Sequence, residues 1–218
     1  IVGSGIVGAS TAYHLAQLGW RDMLIIDQGP LFETGGPTSH APGGVFQTNP
    51  SRMMCKFAQY TVDLLRSLSY EGKPAYHTVG GIEVSKTKER HEDLYRKLGI
   101  AHSYGLTDAK IISPDEVLKM SPYIDPDKIH GGYYVPTDGL AAPVRAVQAM
   151  AKYVTDLNAG EFIGNTPVTG FKVSNNQVRG VETPKGDYEA DIVLVSTGIW
   201  APKMGRLANI SLPLVPCE

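Results

Sequence analysis

The sequence predicts an α/β fold: a parallel-sheet body that begins at the first residues, interrupted by a stretch of antiparallel-sheet character. Three observations predict it. A glycine-rich turn sits between an apolar run and a helix-periodic segment at the N-terminus. The 24 glycines among 218 residues cluster at such boundaries and follow no fixed period, which marks backbone brought close to something. Residues from about 75 to 140 then leave the strand–helix–strand rhythm.

Taken in order, Ile1–Gly3 reads as the end of a strand and Ile6 to Leu18 as a helix, with Ala9, Ala12, Leu15 and Ala16 near a 3.6-residue period. Gly19 is placed as its C-cap. Met23–Ile26 is a short apolar run of the kind buried on both faces of a parallel sheet, and the resulting β-α-β crossover is right-handed. Gln28 to Asn49 has the composition of a long loop, a length that inside a compact domain usually accompanies function. A helix is predicted from about Ser51, with Met54, Phe57, Ala58, Thr61, Leu64, Leu65 and Leu68 on one face.

Gly80–Ser85 reads as a strand, Thr87 to about Ala101 as a charged amphipathic helix, and Gly131–Val135 as another strand. Ser113-Pro-Asp-Glu116 is a capping box with proline at the first helical position. Ala142 to Asn158 is a helix whose turn Gly160 ends. Pro167–Val173 and Val178–Glu182, joined at Asn175-Asn176, and then Tyr188-Glu-Ala form a small β-meander leading into a buried strand, Asp191–Val195. The domain reading is 1–75 for the first part of the parallel domain, 76–140 for the start of a second, antiparallel domain, and 141–218 for the return to the first.

Composition excludes several classes. Lys+Arg number 20 against 22 Asp+Glu, a net charge of −2, with no basic stripe interleaved with aromatics, so no nucleic-acid partner is expected. No apolar run approaches the roughly 18 residues of a membrane span. Cys55 and Cys217 make no disulfide framework, and a reduced compartment is the default. No metal site is expected: there is no C-x-x-C and no H-E-x-x-H. Only Ile1 and Val2 precede the first glycine, and Leu212 to Glu218 reads as the start of another extended segment. The chain is therefore read as a piece of a longer protein.

Gly3-Ser-Gly5-Ile-Val-Gly8 fits G-x-G-x-x-G between strand and helix. The first glycine allows the tight turn, the second lets a pyrophosphate approach, and the third lets helix and strand pack closely. The helix N-terminus beyond offers free N–H groups to phosphates. Asp27, 19 residues after Gly8 and at the end of the second strand, is placed to accept hydrogen bonds from an adenosine ribose. Strand, helix, second strand and acid together predict a Rossmann-like nucleotide site. Two features favour FAD over NAD. The loop Gly35-Gly-Pro-Thr-Ser-His-Ala-Pro-Gly-Gly44 is long and rich in glycine and hydroxyls, as suits a longer cofactor. The strand ending at Gly198 can bring backbone to the cofactor a second time.

These residues resemble the D-amino-acid-oxidase-type flavoproteins, and within them the dimethylglycine oxidase, dimethylglycine dehydrogenase and sarcosine dehydrogenase group. The resemblance runs along essentially the whole chain. It is most specific at Asp27-Gln-Gly-Pro30, Thr38-Ser-His-Ala-Pro-Gly43, Val45-Phe-Gln-Thr-Asn-Pro50, Val79-Gly-Gly-Ile-Glu-Val84 and Val135-Pro-Thr-Asp-Gly-Leu140. It implies a D-amino-acid-oxidase-like fold, incomplete here, with an FAD-binding domain in 1–75 and 141–218 and the start of a substrate domain in 76–140. It implies that Ile6, Val7, Asp27, Gln28, Thr38, Ser39, His40 and Gly44 contact FAD, that Val168 meets its adenine end through the backbone, and that His40 bonds covalently to the flavin 8α-methyl carbon. Gly43 shapes the same loop. The implied activity is oxidation of a small N-methylated glycine, dimethylglycine or sarcosine, by hydride transfer from the N-methyl carbon to flavin N5. Oxygen or an electron-transfer protein would take the electrons. The family's catalytic histidine and tyrosine are expected just beyond Glu218, so no catalytic residue is assigned within the chain, and the span alone is expected to turn over little or no dimethylglycine. A folate-binding domain for tetrahydrofolate is expected further on. The implied location is the bacterial cytoplasm or the mitochondrial matrix.

Three other readings compete with this one. A phosphatase regulatory subunit shares the wider family's fold, but a protein needing no flavin has no reason to keep His40 and its loop. A glycine oxidase binds flavin without a histidyl link. An NAD-dependent dehydrogenase is disfavoured by the long second loop and the Gly198 strand. Other residues read as structural: His14, His77, His91, His102 and His130 have no partner spacing, Cys55 sits on a helix, and the charge run Lys86 to Arg96 is a solvated face. Trp200 packs behind Gly198 or faces the cofactor. Tyr133 and Tyr134 alternate across a strand, one toward a pocket and one toward the core.

Overall fold

The computed structural model describes residues 1–33 and 35–215. Cys217 and the last residues of the predicted C-terminal extended segment lie outside the described residues. The chain forms two compact units, each assembled from separate stretches. Ile1–Ala41, Ser69–Lys73 and Pro143–Glu218 make the first, and Pro42–Leu68 with Pro74–Ala142 the second.

In the first unit, the strand Met23–Ile26 pairs in parallel with Gly160–Ile163. Val2 bridges in parallel to Ile26 on one side and Val195 on the other. The helix Ile6–Gln17 presents Gly8, Ala9, Ala12, Tyr13 and Ala16 as its buried face. The glycine and alanines let the helix Pro143–Asp156 approach closely, and the rings of Tyr13 and Tyr153 meet at a tilt of 52°, 4.7 Å between centroids. That second helix buries Ala146, Val147, Ala149, Met150, Ala151 and Val154, at about 1.5–3 kcal/mol for each large apolar side chain. Val2, Ile26, Val168, Val181 and Met204 form a further core cluster. The meander is present as Gly170–Ser174, Gln177–Glu182 and Tyr188–Glu189. Its first turn holds Asn175 and Asn176 at φ 53° and 59°, the left-handed pair that a two-residue hairpin needs.

The second unit is antiparallel. Gly131–Val135 is the central strand between Gly81–Ser85 and Lys110–Ile112, and Gly139–Ala141 lies between Gly44–Val45 and Tyr76–His77. Helices Arg52–Ser67, Lys88–Ser103 and Pro114–Met120 belong to it, capped by Ser51, Thr87 and Ser113. The capping box is complete: Ser113 N–H donates to Glu116 Oε2 at 2.8 Å and Glu116 N–H to Ser113 Oγ at 3.3 Å. Cys55, Leu94, Ala101, Leu106, Ala109, Tyr133 and Val135 form one core, and Ile112, Val117 and Ile129 another.

Several elements differ from the sequence reading. The stretch 28–49 contains a short helix, Pro37–His40, and the strand Gly44–Val45. Gly160 opens a strand, because Asn158 at φ 51° already makes the reversal after the helix. Asp191–Val195 is no buried strand: Ile192 and Val195 are exposed, and its ladder to Val2 is on one side only among the described residues. A short apolar run does not distinguish a strand covered on both faces from one paired at a single edge. On Arg52–Ser67 the buried stripe is Cys55, Val62 and Leu65, whereas Met54 and Phe57 are exposed. The predicted face is rotated by about one residue, since two apolar stripes compete on this helix and packing chose the other.

Candidate functional site

The N-terminal glycine turn takes its form from contacts that admit no side chain. Gly3 has φ 104°, and a Cβ there would lie 2.6 Å from Ser196 O. A Cβ on Gly8 would lie 1.9 Å from Gly3 O, which fixes the helix against the turn. Ser196 Oγ donates toward Val2 O at 3.0 Å and Gly3 O at 3.1 Å, tying the later strand end to the same turn. Inside the motif, Ser4 donates both its N–H and its hydroxyl to Asp27 Oδ2, each at 2.7 Å. The other oxygen, Oδ1, receives only a long 3.4 Å bond from Gly29 N–H. Asp27 is thus anchored by one oxygen and keeps acceptor capacity on the other.

No side chain of the N-cap, Gly5, caps the first helix. Thr38 instead accepts the Ile6 N–H at 3.0 Å, which joins the loop bearing His40 to the glycine turn. His40 ends the helix Pro37–His40, with Nδ1 3.2 Å from Gly36 O and 3.1 Å from Ser39 Oγ. A carbonyl only accepts, so this contact makes Nδ1 the protonated nitrogen and leaves the lone pair on Nε2.

Gly3, Ser4, Ile6, Asp27, Thr38 and Ser196 line a cavity of about 380 Å³ in the first unit, within the range of small-molecule sites. Of the residues singled out in the sequence, Gly3, Gly5, Ile6, Val7, Asp27, Gln28, Thr38, Ser39, Val168, Gly198 and Trp200 line it. Gly8, His40, Gly43 and Gly44 do not: Gly8 is buried against Gly3, His40 is exposed one residue past Ser39, and Gly43 and Gly44 belong to the second unit beside Ala141 and Leu140. Sequence reasoning missed Phe32, Val147, Thr166, Thr197 and Lys203 in the wall. Phe32 at φ 69° carries a backbone conformation that no sequence signal announces. Thr197 holds, among the described residues, the one buried side-chain oxygen or nitrogen without a partner, its Oγ1. Buried hydroxyls are normally satisfied, so this orphan in the wall fits a site that receives its last bond from a ligand.

A second cavity, about 360 Å³, lies in the second unit and is lined by Phe46, Thr48, Gly81, Ile82, Glu83, Lys97, Tyr133 and Asp138. Tyr133 is the tyrosine in this wall; its hydroxyl lies 2.7 Å from Thr48 Oγ1, and Lys97 Nζ sits 5.1 Å from its ring centroid. Tyr134 instead lies against Gly80. Burial pushes the Glu83 carboxyl up, but Lys97 and Arg90, both bonded to it, outweigh that and hold it below the usual range. Asp138 goes the other way, raised by burial against two bonds from Gln47. Three other histidines have ordinary partners: His91 Nδ1 with Ser85 Oγ at 2.9 Å, His102 Nε2 with Ala109 O at 2.8 Å, and His14 Nδ1 with Ser10 O at 2.6 Å.

Comparison with known proteins gives a consistent result. The family model described as FAD dependent oxidoreductase matches residues 1–218. Human mitochondrial sarcosine dehydrogenase is 30% identical over 99% of this chain and 24% of its own length. Rat mitochondrial dimethylglycine dehydrogenase is 30% identical over 100% and 25%. The mouse pyruvate dehydrogenase phosphatase regulatory subunit is 31% identical over 100% and 25%. The chain thus spans about a quarter of the length of these relatives. Among solved structures, L-proline dehydrogenase from P. horikoshii superposes with a TM-score of 0.82 at 26% identity, covering 96% of this chain and 55% of that one.

Proposed function

The chain belongs to the FAD-dependent oxidoreductase family, with its D-amino-acid-oxidase-type α/β fold, and we propose that it is the FAD-cradling part of an enzyme that oxidises a small N-methylated glycine, dimethylglycine or sarcosine. The support is the way the glycine turn and the His40 loop meet: Thr38 takes the Ile6 N–H and both line one cavity with Asp27, Gln28 and Val168. In this reading the first unit is the FAD domain and the second the start of the substrate domain. Gly3, Gly5, Ile6 and Val7 present backbone to the diphosphate, Gly8 holds the helix against the turn, and Asp27 Oδ1 receives a ribose hydroxyl. Gln28, Thr38, Ser39, Val168 and Gly198 complete the wall. Gly43 and Gly44 shape the chain just after His40.

FAD supplies, when bound, a hydride acceptor at N5. The protein's part is to hold the substrate's N-methyl carbon against it and exclude water. His40 attaches to the flavin through its unprotonated nitrogen, Nε2, in this reading. In this reading the catalytic histidine and tyrosine and the tetrahydrofolate-binding domain belong to the rest of the protein, the electrons pass to oxygen or to a separate electron-transfer protein, and the location is the cytoplasm of a bacterium or the mitochondrial matrix.

The test is acid precipitation of the full-length protein. Yellow colour with a flavin spectrum is expected to stay with the pellet, and to move into the supernatant in His40→Ala; colour wholly released from the unsubstituted protein would overturn the link. A non-catalytic regulatory protein is the second reading, favoured by the 31% identity to the phosphatase regulatory subunit. Full-length protein that takes up no flavin on incubation with FAD would decide for it.

A further inference from the structure

Two histidines that share no spacing signal in the sequence come together in the antiparallel unit. His91 lies near the start of the helix Lys88–Ser103, and His130 directly precedes the strand Gly131–Val135. Their ring centroids are 6.4 Å apart, with the planes tilted by 44°. Ser85, at the end of the strand Gly81–Ser85, is completely buried and holds both. Its carbonyl accepts the His130 N–H at 2.8 Å. Its Oγ donates to Gly131 O at 3.2 Å and lies 2.9 Å from His91 Nδ1. A hydroxyl has one proton, and with that proton on the carbonyl the oxygen accepts from Nδ1–H. His91 is therefore held as the tautomer whose lone pair is on Nε2. Gly131 makes room for the ring, since a Cβ there would come within 2.9 Å of His91 Cε1. Tyr95 meets the same ring edge-on at 5.3 Å between centroids.

An imidazole with one nitrogen tied to a protein oxygen and a lone pair on the other is arranged as a metal ligand, because the second bond sets the tautomer and the direction of the ring. Two imidazoles on one ion, each about 2.0–2.1 Å from it at a tetrahedral angle, put their ring centroids about 5 Å apart. The pair stands roughly 1 Å wider than that, and His130 is exposed, so a small turn about its side-chain torsions closes the gap. Among the described residues no three His, Cys, Asp or Glu side chains are grouped to hold an ion. The protein thus offers two nitrogens and leaves the other positions to water. Nitrogen donors select zinc, copper(II) or nickel, whereas magnesium and calcium take oxygen ligands. Glu89, whose carboxyl is held below its usual range by its own backbone N–H and by Thr87, stands close enough to His130 for the two charges to interact, which favours a cation at this place.

We propose that His91 Nε2 and the His130 imidazole form a two-nitrogen site for a divalent ion of the zinc, copper(II) and nickel class, with Ser85 as the positioning residue that fixes the His91 nitrogen. A bound ion joins the helix Lys88–Ser103 to the chain entering the strand Gly131–Val135 in the folded protein alone, and so it stabilises the antiparallel unit. The site uses neither the glycine turn nor the cavity beside it, and it stands whether or not the protein carries flavin.

Calorimetric titration of the protein with zinc chloride tests it, with magnesium chloride as the oxygen-seeking control and copper(II) electron paramagnetic resonance as the readout of the ligands. Zinc is expected to bind saturably below millimolar concentration and to raise the melting temperature; magnesium is expected to do neither. The copper spectrum is expected to show coupling to two imidazole nitrogens in the parent and to fewer in His130→Ala. That variant removes an exposed ring, so it keeps the fold, and it is expected to weaken zinc binding at least about tenfold. Ser85→Ala, which leaves both ligands in place and frees the His91 ring, is expected to cost about tenfold as well; near-UV circular dichroism first shows that it is folded. Equal zinc affinity in His130→Ala and the parent, equal affinity for magnesium, or no saturable zinc binding below millimolar concentration would each overturn the site. Unchanged affinity in a folded Ser85→Ala would overturn the role given to Ser85.

Discussion

At Thr197 the protein keeps a hydroxyl that it does not bond. A valine there would lose no hydrogen bond present in the structure, and the orphan oxygen costs about 1–3 kcal/mol of uncompensated desolvation. A step about χ1 exchanges hydroxyl and methyl, so in the proposed nucleotide site the group would be free to turn to a bound phosphate. Thr197→Val is therefore expected to leave the melting temperature of the ligand-free protein unchanged or higher, and to weaken ADP binding about tenfold. Thermal unfolding and titration with ADP read the two effects separately; a lower melting temperature without ligand would mean that the hydroxyl has a protein partner. Nothing in the sequence singled out Thr197 from its neighbour Gly198, because whether a hydroxyl is satisfied depends on what folds around it. Asp27 was legible from its spacing, but its bond to Ser4 was not. His40 stood out only through the family resemblance.

At the scale of elements, legibility followed the range of the interaction. The capping box at Ser113 and Glu116 was readable because both its bonds close within four residues. Ser113→Ala is expected to lower stability by about 1 kcal/mol, measured by urea unfolding, and Glu116→Gln, which keeps a side-chain acceptor for Ser113 N–H, is expected to lose less. The helix Ile6–Gln17 was equally readable, since its alanines and its C-terminal glycine are local signals. The helix Arg52–Ser67 shows the limit. Its sequence offers one stripe through Cys55, Val62 and Leu65 and another through Met54, Phe57 and Thr61, and only the core containing Leu94 and Tyr133 decides for Cys55. Asp191–Val195 has the composition of a central strand and the exposure of an edge.

For the whole molecule, the two units differ in what they should gain from ligand. The first carries the glycine turn, the Asp27 anchor and the Thr197 orphan in one cavity wall. A ligand bound only by the folded form at 100 times its Kd stabilises that form by about 2.7 kcal/mol. ADP is accordingly expected to slow hydrogen exchange in peptides covering 1–17, 36–41 and 194–204. Amides of the Gly81–Ser85 and Gly131–Val135 strands are expected to be unaffected; uniform slowing across both units would contradict a site confined to the first.

The sequence by itself determined the parts that depend on a few neighbouring residues: the glycine turn, the helices, the caps and the Asn175-Asn176 reversal. Tertiary structure alone decided which strand lies beside which. Met23–Ile26 found its partner at Gly160–Ile163, and Val2 found Val195, across well over a hundred residues of chain. Such pairings are chosen by how much apolar surface the whole unit covers, and no local pattern encodes that sum. The same holds for Asp138. As a letter it is an acid in a loop, and only the folded unit takes it out of water and closes its two bonds to Gln47.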